Sequence, residues 1–133
     1  MKISLPVLLV LAVLAGGLAV VLTGGRSGGG VRVDVKLPSL SAAADRGRHL
    51  FADNCQACHG PHGAGSDSGP PLIHKIYKPN HHGDQAFHLA VQRGVRAHHW
   101  NFGNMEPVPD LGRGEVGHII RYVRELQRAN GIG

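Results

Sequence analysis

The residues best suited to chemistry are two cysteines and the histidine that follows them: Cys55, Cys58 and His59. On a helical turn, residues three apart lie on the same face, so both thiols could add to the two vinyl groups of one haem. The adjoining imidazole would then lie under the iron as an axial ligand. The Cys-x-x-Cys-His pattern therefore predicts a covalently bound c-type haem, with Cys55 and Cys58 forming thioethers and His59 binding the iron.

The same Cys-x-x-Cys spacing occurs in half of a zinc site and in thioredoxin-like redox pairs. A zinc site would require two further ligands at a matching spacing, and the sequence contains no second pair of cysteines. A thioredoxin-like pair would require a βαβ unit, which the sequence pattern does not indicate. The adjoining histidine favours the haem interpretation over both.

The composition fits one modest domain, since the chain has 133 residues. With 20 glycines and only 5% aromatic residues, a core built from side chains alone would be thin, and a large apolar cofactor would fill it. The formal charge is +5, but from residue 41 onward ten Lys and Arg oppose eight Asp and Glu. Since no basic stripe is interleaved with aromatic residues, we expect no nucleic-acid partner.

The N-terminal region carries an uncharged apolar run from Ile3 to Leu22. About 20 apolar residues cross the hydrocarbon core as a helix, whereas the apolar core of a signal peptide has roughly 7–15. We therefore predict a membrane anchor, or a cleaved signal segment, at residues 1–23. The Gly-rich stretch that follows predicts a flexible linker at residues 24–40, and residues 41–133 form the predicted domain.

Apolar spacing predicts three helices in this domain, over about residues 43–53, 84–93 and 113–129. Asp84 is expected to cap the second helix, and glycines follow the second and the third. The third has the clearest apolar stripe, which consists of Val116, Ile119, Ile120, Val123 and Leu126.

Further features accompany the cysteine motif. Residues 69–72 read Gly-Pro-Pro-Leu, Met105 precedes the last helix in a Pro-containing loop, and Gly47 and Phe51 precede the cysteines on one helix face. Together with the Cys-x-x-Cys-His motif, they make residues 41–133 resemble a class I cytochrome c domain. The resemblance implies an all-α fold, a small helical domain wrapped around one covalently bound haem c, which the predicted transmembrane helix precedes.

The resemblance also implies roles for individual residues. The carbonyl of Pro70 would accept a hydrogen bond from the second ring nitrogen of His59, and Leu72 would pack on the haem. Met105 would be the second axial ligand, and its neutral thioether favours ferrous iron. The family often has Met-Pro-Pro here, whereas this chain has Glu106 after the methionine. A carboxylate at this position should lower the reduction potential.

Ten histidines are an unusual number for a chain of this length. Apart from His59, they could be solvated surface residues, one could replace Met105 as the sixth haem ligand, or several could bind a second metal such as copper or zinc. Two pairs are adjacent in sequence, at residues 81–82 and 98–99. Adjacent residues do not share a helix face, so neither pair forms a helical metal site.

The function these features predict is that of a membrane-anchored monohaem c-type cytochrome, an electron carrier rather than an enzyme. It would pass single electrons between membrane or periplasmic redox proteins. Because such proteins acquire haem outside the cytoplasm, the predicted location is the bacterial cytoplasmic membrane, crossed once, with the haem domain in the periplasm. Two alternatives stay open: a haem-based ligand-binding or catalytic module, and a haem subunit with a His-bound second metal.

Overall fold

The computed structural model describes residues 30–133. The predicted anchor at residues 1–23 and the first part of the predicted linker lie outside this range. Within the described residues, no helix is long and apolar enough to cross a bilayer. Helices dominate this part of the chain, and its one isolated β-bridge joins Val95 and Met105. The α-helices are α1 (Ala42–Asn54), α2 (Gln56–His59), α3 (Asp84–Arg93) and α4 (Arg113–Ala129).

The three helices predicted from apolar spacing are present as α1, α3 and α4. Helix α4 begins where the N–H of Gly112 donates a hydrogen bond to the carboxylate of Glu115 at 2.8 Å. It is followed by Gly131, whose φ of 73° is readily available only to glycine. The single turn α2 was not predicted as a separate helix, and it starts after the backbone departs from helical geometry at Cys55.

Helices α1 and α4 cross at Gly47, and this crossing forms the centre of the core. A β-carbon at Gly47 would overlap the backbone carbonyl of His118, so glycine permits the close approach. One turn further along α1, the rings of Phe51 and Tyr122 meet edge to face with their centroids 5.6 Å apart. The buried core cluster consists of Ala44, Phe51, Ile73, Ile119, Tyr122, Val123 and Leu126.

A buried arginine connects α4 to the start of α3. Arg124 is only 6% exposed, and its guanidinium donates hydrogen bonds to the Asp84 carboxylate at 2.9 Å and to the Tyr77 carbonyl at 2.7 Å. The prediction that Asp84 caps α3 is wrong, because the cap position is Gly83 and has no side-chain hydrogen bond. Asp84 instead partners Arg124, since a buried cation requires a counter-charge and hydrogen-bond acceptors.

The start of α1 is fastened to α4 through Ser41 and Glu125. The Ser41 hydroxyl accepts a hydrogen bond from the N–H of Ala44 at 3.2 Å, as an N-cap does, and donates to Glu125 Oε1 at 2.7 Å. The backbone N–H of Ser41 donates to Glu125 Oε2 at 3.0 Å. Burial acts to raise the pKa of Glu125, but these hydrogen bonds and nearby arginines outweigh it, so its pKa is lowered.

Residues 30–40 run as an extended arm along the domain. The N–H of Val33 donates to the Ala64 carbonyl at 2.9 Å. The Asn130 side chain accepts from the Lys36 N–H at 2.8 Å and donates to the Lys36 carbonyl at 2.9 Å. The sequence predicts a flexible linker here, whereas these hydrogen bonds hold the described part of that segment against the folded helices.

The beginning of the arm is held by one aspartate. Asp67 accepts a hydrogen bond from the N–H of Gly30 at 3.2 Å and forms an ion pair with Arg32 at 3.0 Å. The ion pair is exposed on both sides, so its own contribution to stability is small. Its effect is to fix where the arm meets the loop that follows α2.

Candidate functional site

The predicted haem-attachment residues lie on one turn of the chain. The backbone N–H of His59 donates to the carbonyl of Cys55 at 2.9 Å, which closes a helical turn around the motif. Cys55 is half-buried and Cys58 is exposed. Burial, together with the neighbouring Cys58, raises the pKa of the Cys55 thiol to about 11. Reactive redox pairs have the opposite property, a lowered thiol pKa, so this environment does not favour the thioredoxin-like interpretation.

The imidazole of His59 is held by a single hydrogen bond. Its Nδ1 lies 2.9 Å from the carbonyl oxygen of Pro70, which is the contact that the sequence resemblance implies. Because a carbonyl oxygen only accepts hydrogen bonds, Nδ1 carries the proton and Nε2 keeps its lone pair in the neutral ring. Burial lowers the pKa of His59, and the bond to Pro70 opposes this only in part. A neutral imidazole with a free Nε2 is the form that binds iron.

The segment that carries Pro70 passes close to the cysteine turn. A β-carbon at Gly69 would lie 2.7 Å from the carbonyl oxygen of Cys58, and the hydroxyl of Ser66 donates to that same carbonyl. Glycine at this position therefore lets the proline carbonyl reach His59. Leu72 follows as a partly buried residue packed against the core.

Met105 is fixed through its backbone at the base of a loop. Its N–H donates to the Val95 carbonyl at 2.9 Å, and its carbonyl accepts from the Val95 N–H at 3.0 Å. A β-carbon at Gly94 would overlap the Met105 carbonyl. The loop between them is closed further by a hydrogen bond from the N–H of Ala97 to the side chain of Asn104 at 3.0 Å. Met105 itself is half-buried.

The donor set suits a covalently attached haem. Two thiols on one turn can form thioethers, and a neutral imidazole with a free nitrogen together with a thioether on a fastened loop can bind iron. The sequence model of the cytochrome c family matches residues 44–127, which is more than half of the chain. The chain belongs to the cytochrome c family. It is thus an electron-transfer haem protein, and it carries covalently bound haem c.

One solved structure shows a likeness to this cytochrome c. It is cytochrome cL from the marine methylotrophic bacterium Methylophaga aminisulfidivorans, which is 28% identical and has a TM-score of 0.44. The match covers 62% of this chain and 52% of that one, so the chain spans about half of its length. No curated protein matches the sequence.

Aromatic side chains in the methionine loop contact one another and the preceding segment. The rings of Trp100 and Phe102 lie 6.3 Å apart. The indole N–H of Trp100 donates to the hydroxyl of Tyr77 at 3.1 Å. Burial raises the pKa of Tyr77, and the hydrogen bond from Trp100 opposes this. Tyr77 therefore stays protonated at neutral pH and ties the loop to the preceding segment.

His62 is a contact residue that no sequence motif indicates. Its Nδ1 lies 2.8 Å from the hydroxyl of the buried Tyr122, and its φ of 56° is uncommon for a residue with a side chain. The turn therefore presents this histidine to α4 directly after the cysteine motif. No spacing in the sequence indicates the pairing, because 60 residues separate the two partners.

Proposed function

We propose that the protein is a membrane-anchored monohaem electron carrier. Cys55 and Cys58 would hold haem c through thioethers, and His59 and Met105 would bind its iron. The bound haem supplies one-electron exchange between ferrous and ferric iron. The observation that carries this proposal is the hydrogen bond between His59 and Pro70, because it leaves the ring neutral and its Nε2 free for the metal.

The residues around the ligands would keep them in place in both oxidation states. Pro70 orients the imidazole ring, Leu72 contributes apolar surface beside the haem, and the paired backbone of Val95 holds the methionine loop. Rigid ligands change little in geometry when the charge on the iron changes. The ligands would then need little rearrangement at each electron transfer, and fast transfer requires this. Glu106 is exposed, so solvent weakens its effect on the potential.

The path of the electron would run through the exposed side of the cysteine turn. Cys58 is exposed while Cys55 is half-buried, so an attached haem would present one edge to solvent near Cys58. Membrane or periplasmic redox proteins that act as donor and acceptor would dock at this edge. Electron transfer requires only that the partner's redox centre come close to this edge, and the interfaces of such redox complexes are typically small.

The sequence supports the proposed anchor and location. The apolar run from Ile3 to Leu22 has the length of one membrane crossing. Haem attachment outside the cytoplasm would place the haem domain, residues 41–133, in the periplasm of a bacterium. The protein would then remain at the membrane surface within reach of membrane-bound partners. Fractionation of cells that express the full chain tests this, since a cleaved, freely released domain would contradict the anchor.

The optical spectrum of the haem-loaded protein tests the ligands directly. We expect a methionine-to-iron charge-transfer band in the oxidised form and no response of the reduced form to carbon monoxide. Loss of the band with rapid binding of carbon monoxide would instead indicate the alternative, a ligand-binding or catalytic haem. Loss of the band without such binding would move the sixth ligand from Met105 to a histidine.

A further inference from the structure

Four histidine rings from two separate loops meet on the surface of the domain. His81 and His82 lie just before α3, and His98 and His99 lie in the loop that ends at Met105. The ring of His99 has its centroid 5.4 Å from that of His81, 5.2 Å from that of His82 and 4.2 Å from that of His98. The two pairs therefore form one cluster, although each looked isolated in the sequence.

Three of these residues can direct a nitrogen atom to a common point. One ring nitrogen each from His81, His82 and His99 lies within 4.8 Å of the other two. A tetrahedral zinc ion with Zn–N bonds of about 2.0–2.1 Å requires nitrogens roughly 3.3 Å apart. His81 and His99 are exposed, so rotation of their side chains can close the difference, at most about 1.5 Å, without displacing the backbone.

The third residue, His82, is already oriented for binding. Its Nδ1 lies 2.8 Å from the carbonyl oxygen of Ile76. Because that oxygen only accepts, Nδ1 carries the proton and Nε2 keeps its lone pair in the neutral ring. Histidines that bind metal ions commonly donate their second ring N–H to a backbone carbonyl in this way. His98 makes the same kind of contact with the carbonyl of Arg96 at 2.8 Å.

Both loops are held by contacts that do not involve the imidazole rings of the cluster. The guanidinium of Arg124 donates to the carbonyl of His82. On the other side, Trp100, next to His99, donates to Tyr77, and Ala97 donates to Asn104. Since independent hydrogen bonds position the two loops, the meeting of the rings does not depend on contacts between the rings themselves.

We propose that His81, His82 and His99 bind a divalent transition-metal ion of the zinc or copper(II) class. An all-imidazole donor set suits these two ions and does not suit magnesium or calcium. Three histidines leave a fourth position for water. The ion would link the loop before α3 to the loop that carries Met105. This site is separate from the haem ligands, so it goes beyond the proposed electron-carrier function.

Isothermal titration calorimetry of the haem-loaded full chain, with Zn²⁺ as the only added metal, tests the site. We expect one saturable equivalent of Zn²⁺ per chain. His99→Gln and His81→Gln should each weaken binding more than about 100-fold, because loss of a ligand exceeds the 10–100-fold effect of losing an outer partner. His49→Gln is the matched control, since this exposed histidine lies on α1, and it should bind as the unmodified protein does. An unchanged haem spectrum in every variant confirms that each one is folded.

Several outcomes would overturn the proposal. They are the absence of saturable binding, equal binding by the His99→Gln variant, and equal weakening by His49→Gln. Loss of binding in His98→Gln with retention in His81→Gln would also contradict the assigned ligands. Electron paramagnetic resonance of the protein with one equivalent of Cu²⁺ provides a second measurement. Coupling to three imidazole nitrogens is expected, and coupling to fewer nitrogens in His99→Gln supports the site independently of affinity.

Discussion

The backbone of α1 at Gly47 lies against the carbonyl group of His118 on α4, with no space for a side chain between them. This contact sets how closely the two longest helices approach. It also brings Phe51 into contact with Tyr122, one turn before the cysteine motif begins. The position of the haem-attachment turn relative to α4 therefore depends on residue 47 being glycine, which has only a hydrogen atom where other residues have a side chain.

Replacing that hydrogen with a methyl group should destabilise the fold. For Gly47→Ala we expect the free energy of unfolding to fall by about 1–3 kcal/mol, because a rigid backbone carbonyl must move to relieve the overlap. Gly117→Ala is the matched control, since Gly117 lies on α4 with nothing within 4 Å of the added carbon. It should instead gain about 0.5–1 kcal/mol from helix propensity. Thermal unfolding measures both, and equal stability of the two variants would contradict the close crossing.

Removing both thiols should abolish covalent attachment of haem. In the Cys55→Ala, Cys58→Ala double variant no sulfur remains to form a thioether, whereas either single variant retains one. Haem staining of a denaturing gel distinguishes the three proteins. Staining of the double variant at the mass of the polypeptide would show that the attachment is elsewhere.

Removing the thioether of Met105 should leave haem attached but change its properties. In Met105→Ala we expect a lower reduction potential, since the neutral sulfur favours ferrous iron, and binding of added carbon monoxide. Glu106→Gln is the control at the neighbouring position. Its iron should not bind carbon monoxide, and its reduction potential should be slightly higher. Potentiometric titration measures both variants. An unchanged potential in Met105→Ala would contradict its assignment as a ligand.

The buried guanidinium of Arg124 gives a prediction about stability away from the haem. Arg124→Met should cost about 1–3 kcal/mol, because the side chain of Gln127 and the Tyr77 carbonyl each lose a hydrogen-bond donor. Arg121→Met, at an exposed position of the same helix, should change the stability by no more than about 0.5 kcal/mol. Unfolding in denaturant compares them. A similar effect of the two substitutions would mean that the buried network adds nothing.

Glu125 should contribute to the acid sensitivity of the fold. Its pKa is lowered in the folded chain from the ordinary value of 4.5, so its contribution is complete above that pH and is lost as the pH falls through the lowered value. Glu125→Gln should therefore differ most in stability from the unmodified protein at neutral pH and least below the lowered pKa of Glu125. Ser41→Ala, which removes one donor to the carboxylate, should reduce the same difference. If the difference in stability between Glu125→Gln and the unmodified protein is the same at every pH, Glu125 does not have this role.

The sequence predicted the helices well because their signals are local. Helix α3 ends at Gly94 and α4 follows a clear apolar stripe, and neither depends on distant residues. The contact of His59 with Pro70 was implied by the resemblance to class I cytochromes c, which is carried by two short sequence motifs.

What the sequence did not predict depends on residues far apart in the chain. The partner of Asp84 is 40 residues away on α4, and the extended arm is held by Asn130, 94 residues from Lys36. The two histidine pairs were judged by helix periodicity, although they meet through loops. In each case the decisive distance is created by the fold, so neither spacing nor composition contains it.

The contacts of the arm with Asp67 place the start of the arm beside the cysteine turn. Gly30 and Arg32 both bind this residue, and the neighbouring Ser66 contacts the carbonyl of Cys58. Gly30 therefore lies on the same side of the domain as the exposed Cys58. In the proposed membrane-anchored carrier, the tether from the membrane would therefore join the domain beside the proposed electron-transfer edge and not at the opposite end.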